Sequence, residues 1–260
     1  MKRKFEALSW SEFHWQRPFE IDDVKAMLGQ LAGLSRRKAV IFEIRIKQNK
    51  VRYLLGTEGQ DRPYIHQLIQ SHRKIQFSKA PKREVMTSAR LVRIKQSHYA
   101  LKTDSVENMI RASLSLAKIL QLDETVTVQL VLGTGSPPRL QPKDLPNLSA
   151  KWYQVITNNI PELSESSKKL MRQKLNQSTF KCEIRLGASS RSILRAKEFF
   201  TSLLSSFRML ETTATIELKP LAVQGFNRAQ PPWSYPYSLA ISDLACFLLL
   251  PISEENIAGV

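Results

Sequence analysis

Apolar residues recur with two periods along this chain, and the switches between them mark out its elements. From Ile21 to Leu34, the residues Val24, Met27, Leu28 and Leu31 share one helical face. Asp22 and Asp23 occupy the first turn, where carboxylates suit the positive end of the helix dipole. The period then drops to two. Val40, Phe42, Ile44 and Ile46 alternate with Glu43, Arg45 and Lys47, and the residues QNK lead into Val51, Tyr53 and Leu55, a pattern that predicts a β-hairpin. Pro63 fits the first turn of a helix presenting Ile65, Leu68, Ile69 and His72, followed by an extended Ile75-Gln76-Phe77. A second round predicts a strand over 88–95 and a helix lined by Met109, Ile110, Ala117 and Leu120. Asp104 would cap that helix, with Glu107 at capping-box spacing. A strand through Val126, Val128, Leu130 and Leu132 completes the round. In the third, Phe180, Cys182, Ile184 and Leu186 alternate, Ile193, Ala196, Phe200, Leu203, Phe207 and Leu210 form a helical stripe, and Ala214, Ile216 and Leu218 alternate again.

Strand–helix–strand thus recurs at 51–77, 89–132 and 180–218, and the first two in tandem spell β-α-β-β-α-β, the ferredoxin-like order. The expected fold is α+β: tandem ferredoxin-like β-α-β units, each an open-faced sandwich with helices on one sheet face. Arg45, Lys47, Arg93, Lys95 and Arg185 would line the uncovered face. The stretch 135–149 carries four prolines and reads as a linker. The expected organisation is therefore an N-terminal subdomain over 1–135, containing the ferredoxin-like unit at 51–132, a linker at 136–150, and a second subdomain over 151–260. Its Pro- and aromatic-rich tail ends in a short apolar helix that needs a surface to dock on.

Charge narrows the choice of partner. Lys and Arg number 39 against 23 Asp and Glu, a net +16, and residues 31–100 alone hold 16 Lys and Arg against 4 Asp and Glu. A field so one-sided attracts polyanions, although an acidic protein would answer the same charge. The densest stretch, 71–95, sets Arg73, Lys74, Lys79, Lys82, Arg83, Arg90, Arg93 and Lys95 around Phe77; Arg36, Arg37 and Lys38 belong to the same basic half. These eleven are the candidate nucleic-acid contacts, because cations neutralise phosphates while an aromatic can stack a base. Phe77 shares parity with Ile75 and is expected to point into the core.

Other chemistries find no foothold in the sequence. The strand VTVQLVLGTG resembles the lead-in to a phosphate loop, yet the positions where such a loop needs its second Gly and its Lys are Pro138 and Arg139, and Pro137-Pro138 forbids an open helix start. No nucleophile–base arrangement or metal-ligand spacing is present, so no catalytic residue, metal or cofactor is expected. Two cysteines, Cys182 and Cys246, make no disulfide framework and suit a reducing cytoplasm. The longest apolar run, Leu239 to Ile252, is broken by Ser242 and Asp243 and falls short of the ~20 residues of a membrane span.

The succession HWQRPFEIDDVKAMLGQLA, AVIFEIRIKQNKVRYLLG, SVENMIRASLSLAKILQLDETVTVQLVLGTG, FKCEIRLGASSRSILRAKEFFTSLLSSFRMLE and WSYPYSLAISDLACFLLLPI resembles, over residues 10–260, the N-terminal region of conjugative DNA-transfer ATPases. These are relatives of type IV secretion coupling proteins and of the FtsK/HerA-type DNA pumps of bacterial mobile elements. The resemblance implies a non-catalytic front end whose ATPase core would follow residue 260. Its implied partners are DNA and transfer-complex proteins, with homo-oligomeric ring assembly in the parent and a cytoplasmic location to which partners recruit it at the inner face of the membrane. It assigns no functional residue here, so the eleven contacts rest on charge. The alternatives are a protein-interaction or oligomerisation module for an acidic partner, and a stand-alone RNA-binding protein.

Overall fold

The alternating segments all become strands, and they join one sheet. The computed structural model describes residues 8–15, 20–34, 39–72, 75–139, 145–150, 152–157 and 160–251. Its elements run β1 (Leu8–His14), α1 (Ile21–Gly33), β2 (Val40–Lys47), β3 (Lys50–Glu58), α2 (Arg62–Gln70), β4 (Gln76–Lys79), β5 (Ser88–Lys95), α3 (Val106–Leu114) and α4 (Leu116–Ile119). They continue as β6 (Thr125–Ser136), α5 (Trp152–Ile156), α6 (Glu165–Leu175), β7 (Thr179–Ser189), α7 (Ile193–Arg208), β8 (Thr215–Pro220), α8 (Val223–Asn227), β9 (Tyr237–Ala240) and α9 (Ile241–Phe247). The protein is α+β, with an open, antiparallel nine-stranded sheet in the order β4-β1-β3-β2-β6-β7-β5-β8, and β9 beside β7.

Residues 8–79 contribute β4-β1-β3-β2 and residues 88–220 contribute β6-β7-β5-β8. Counted within its own half, each set places its strands fourth, first, third, second from the outer edge inward. The halves meet where β2 pairs with β6, from Val40↔Leu132 to Ile46↔Val126. The grouping expected at 51–132 is corrected: its strands β3, β4, β5 and β6 are not neighbours. That frame starts at β3, two strands late, because β1 shows no alternation and so leaves β2 without a preceding strand. Trp10 packs on one sheet face and Phe13 on the other, so neither parity reads as polar. Across the proline-rich 136–150, β6 and β7 pair from Thr125↔Ser189 to Ser136↔Thr179, so one sheet serves both sides of that stretch.

Helices cover one face. Phe42, Ile44, Ile46, Val128, Leu130, Ile184 and Leu186 point into a layer that includes α1, α3, α7 and α9, in a single apolar core. The apolar helix of the tail, expected to need a surface, finds it inside this layer. Leu244 to Leu250 are all buried, α9 touches α1 and α3, and the Tyr53 hydroxyl donates to the Leu249 carbonyl at 2.7 Å. Asp243, fully buried, accepts from the Leu101 amide at 3.0 Å and from Lys174 Nζ at 3.3 Å, so its charge is matched within the chain. The capping box expected at Asp104 is absent: a 3₁₀ turn occupies Thr103–Ser105, and α3 starts behind Ser105 without a side-chain cap.

The second face is covered over its centre, which corrects the open-faced expectation. Residues 80–87, crossing from β4 to β5, and the connection from β8 to β9 lie over it. Met86 exchanges two hydrogen bonds with the Asn227 side chain, at 2.8 and 3.0 Å, which ties the two coverings together. Gly133 belongs to this packing, whereas Gly135 meets α1 on the helix side. A Cβ on Gly133 would stand 2.5 Å from the Tyr235 ring, and one on Gly135 would stand 2.4 Å from the Ala32 carbonyl. Both lie within β6, which runs to Ser136 with a register shift between Leu132 and Gly135. Their place in the fold is close approach of a ring and of α1 to the strand. Among the described residues, no helix is long and apolar enough to cross a membrane.

Candidate nucleic-acid interface

The expected contacts that are described separate into three environments. Arg36, Arg37, Lys38, Arg73 and Lys74 lie outside the described residues. Arg90 points to the helix side, half-buried, with its guanidinium 5.6 Å above the Phe200 ring. Arg93 and Lys95, exposed on β5, face Glu217 of β8 at 3.9 and 2.7 Å, where Lys219 joins them at 3.3 Å. Hydrogen bonds from Lys95 and Lys219 outweigh the burial of Glu217 and hold its carboxyl below the usual range. Lys79, Lys82 and Arg83 form the third group, Lys79 on the opposite edge strand β4 and the other two on the segment that leaves it toward β2. β4 and β5 are six inter-strand steps apart in the sheet, about 29 Å at 4.8 Å per step. The basic run 71–95 is therefore divided between the two ends of the molecule by the crossing of 80–87.

Two expected face cations, Arg45 and Arg185, are core groups at 3% exposure. Arg45 pairs with Glu43 at 2.9 Å, and Gln129 donates to the same carboxylate at 2.7 Å while accepting from Arg185 at 3.1 Å. Arg185 also pairs with Glu183 and donates to the Gln230 carbonyl at 2.7 Å. Arg83 enters from the covering segment to join Glu43 and the Asn227 carbonyl. Buried charges of this kind require partners, and each guanidinium here has a carboxylate. Glu84 fastens the same segment to Lys47 at 2.6 Å and to Thr125 at 2.7 Å. Burial raises the Glu84 pKa, but these two hydrogen bonds prevail and hold it below the usual carboxylate range.

The network anchors one wall of a cleft. At the β4 edge a cavity of about 770 Å³ is lined by Trp10 from β1, Arg62, His66 and Gln70 from α2, Phe77, Ser78 and Lys79 from β4, and Ala80, Pro81 and Arg83 beyond it. The Arg83 guanidinium lies 4.7 Å over the Trp10 ring, so the ion pair with Glu43 also fixes the indole. His66 stacks on Phe77 at 3.8 Å with the rings 10° apart. Phe77 packs against the core, as its parity with Ile75 implies, and lines the cleft as well. Burial, and then the Arg62 cation, hold the His66 pKa below the usual imidazole value, which favours the neutral ring. Its Nε2 is buried with no hydrogen-bond partner among the described residues.

Among the described residues, no Asp or Glu lines this cleft. Arg62 donates to the Ser9 hydroxyl at 3.0 Å, and neither it, Lys79 nor the neighbouring exposed Lys82 has a carboxylate partner among the described residues. Of the sequence candidates, then, Lys79, Lys82 and Arg83 come together, while Arg62, Trp10 and His66 were not anticipated. Arg62 and His66 sit in a helix whose apolar stripe carried the reading, and Trp10 sits in the strand without alternation.

Elsewhere, Cys182 and Cys246 are buried thiols whose pKa values burial pushes far up, so neither is a nucleophile. No group of three or more His, Cys, Asp or Glu side chains suited to a metal occurs among the described residues. No known family model matches this chain, and no curated protein matches it.

Proposed function

We propose that this chain is a non-catalytic nucleic-acid-binding module, the N-terminal portion of a DNA-translocating ATPase of the conjugative kind, which binds DNA and transfer-complex partners and supports ring assembly of its parent. We take each half of the sheet to be a ferredoxin-like unit. In support, both halves run β-α-β-β-α-β and share the strand order fourth-first-third-second, with α5 and α6 inserted in the second half. The observation that carries the binding function is the cleft at the β4 edge, lined by no Asp or Glu among the described residues, where Arg62 and Lys79, with Lys82 beside it, have no carboxylate partner among those residues, next to Trp10 and Phe77. Cations without local counter-charge release bound counterions when they meet phosphates. Titration of DNA affinity against salt tests this. Three neutralised phosphates give a slope of about −2.7, a loss of about 40-fold between 50 and 200 mM salt. Weak binding that does not change with salt overturns the reading.

One feature favours the protein-interaction alternative. Ile119 and Leu122 beside α4, and Ile193 and Leu194 at the start of α7, are 55%, 87%, 73% and 69% exposed. Arg195 bridges their two segments by donating to the Ile119 carbonyl at 2.9 Å and pairing with Glu124 at 3.2 Å. Aliphatic side chains gathered this way mark contact surfaces. A stable oligomer by light scattering, without DNA affinity, supports that reading instead. The RNA-binding reading needs exposed aromatics on the central strands, and the cover over the second face leaves it without support.

A further inference from the structure

We infer that the aliphatic patch beside α4 and at the start of α7 is the contact between two copies of this chain, which pair about a two-fold axis passing through it. The inference is independent of nucleic-acid binding and of ring assembly, because a surface that meets its own copy closes at two.

Strand pairing builds the patch. Thr125 opens β6, Ser189 ends β7, and the two are partners in the sheet, so the segments 119–124 and 190–195 meet it side by side. Glu124, 4% exposed, fastens them together. It accepts from the Gln121 amide at 3.0 Å, from the Ser190 hydroxyl at 3.2 Å and from Arg195 Nε at 3.2 Å. Arg195 also donates to the Ile119 carbonyl and lies 4.7 Å over the Phe199 ring. Ile119, Leu122, Ile193 and Leu194 therefore stand on a fixed frame, and a surface fixed in advance costs little ordering on association.

Charge names the occupant. The chain carries +16, so two copies repel one another over most of their surface. Here the balance differs: residues 118–124 and 190–198 together hold four Lys and Arg against three Asp and Glu. Arg191 pairs with Asp123 at 2.6 Å, and Arg195 reaches Glu198 at 3.0 Å. Cations already answered by neighbouring carboxylates offer little to a polyanion or an acidic partner. A rim carrying both signs is complementary to itself. With the axis beside the Arg191–Asp123 pair, Arg191 of each copy faces Asp123 of the other, and the aliphatic side chains close between them.

Area sets the strength. At 55–87% exposure the four aliphatic side chains present on the order of 500 Å², toward the upper end of the roughly 300–600 Å² of the largest patch on an ordinary monomer. A standard interface removes about 800 Å² from each partner. The aliphatic residues supply its core and the charged rim supplies the remainder, which places the pair in the weak, reversible class, dissociating at roughly 10 µM. The β4-edge cleft lies four inter-strand steps from β6, about 19 Å, and shares no residue with the patch.

Sedimentation equilibrium on the full chain, from about 1 to 200 µM, reads the association by mass action. The average mass should climb from monomer to dimer and stop there. Leu122→Glu, at a position 87% exposed and so without effect on the unfolding midpoint, should weaken pairing about tenfold or more and leave affinity for a short DNA oligonucleotide unchanged. Asp123→Arg and Arg191→Asp should each weaken pairing when alone, since like charges then meet across the axis, and the two variants mixed should pair as tightly as the unaltered chain. A chain that stays monomeric throughout overturns the inference, as does association that Leu122→Glu leaves unchanged, that mixing the charge variants fails to restore, or that grows beyond two. Pairing without DNA affinity leaves the inference standing and overturns the nucleic-acid reading alone.

Discussion

At the scale of single residues, the second sheet face is organised around one carboxylate. Glu43 is 1% exposed and answers Arg45, Arg83 and the Gln129 amide at once. Removing its charge while keeping its shape leaves two guanidinium groups short of a partner under the covering segment. Breaking a buried pair from one side costs about 3–5 kcal/mol, because the remaining charge stays desolvated. Glu43→Gln is therefore expected to lower the unfolding free energy by that amount, read as a lower chemical-denaturation midpoint with an unchanged slope. A loss below about 1 kcal/mol, the range of exposed ion pairs, would show that water reaches the network. In the sequence, Glu43, Arg45 and Arg185 read as polar positions of half-exposed strands, because alternation reports parity and says nothing about what lies on the polar side. Charged residues on that parity can face water or each other, and only the cover from 80–87 and α8 decides between the two.

At the scale of elements, α9 shows what local pattern can and cannot convey. The apolar run from Leu239 signals a buried segment, but not which surface buries it. Here that surface is the chain's own helix layer. Phe247 is fully buried and meets Phe207 of α7 edge-on, with ring centroids 5.1 Å apart. Phe247→Ala should cost about 3–5 kcal/mol, the usual range for deleting a core aromatic. Amide exchange checks the placement independently: the α9 amides should exchange only on global unfolding in the isolated chain. Fast exchange there would mean the segment docks on another molecule. Strands with one polar and one apolar face, β2 and β7, were legible to within a residue or two, while β6 runs four residues past its alternating stretch, to Ser136. β1 was not, since Trp10 and Phe13 bury opposite faces. α6 was not, since its apolar positions are few and its buried Lys174 reads as surface; the aliphatic stem packs while Nζ reaches Asp243.

At the scale of the whole molecule, strand order is what converts a basic sequence into two distinct basic places. Residues close in the chain, Lys79 against Arg93 and Lys95, stand on β4 and β5, toward opposite ends of the sheet. No periodicity encodes that separation, which follows from long-range pairing. Their separation of about 29 Å is roughly three Debye lengths at 0.1 M salt, so the two groups act independently. They also differ in kind. Lys79 and Lys82 have no carboxylate partner among the described residues, whereas Arg93 and Lys95 share Glu217 with Lys219. Phosphates at the β5–β8 edge would have to compete with that carboxylate. The double variant Lys79→Ala/Lys82→Ala is therefore expected to reduce the salt slope of DNA affinity by about two, one for each phosphate contact removed. Arg93→Ala/Lys95→Ala should leave the slope unchanged and the affinity within about twofold, the scale of an exposed ion pair. Because groups so far apart without shared partners combine additively, the quadruple variant should match the first double variant. Equal losses from the two double variants would instead mean that nucleic acid spans the whole sheet, with both edges in contact at once, and the β4-edge cleft would lose its claim to be the site.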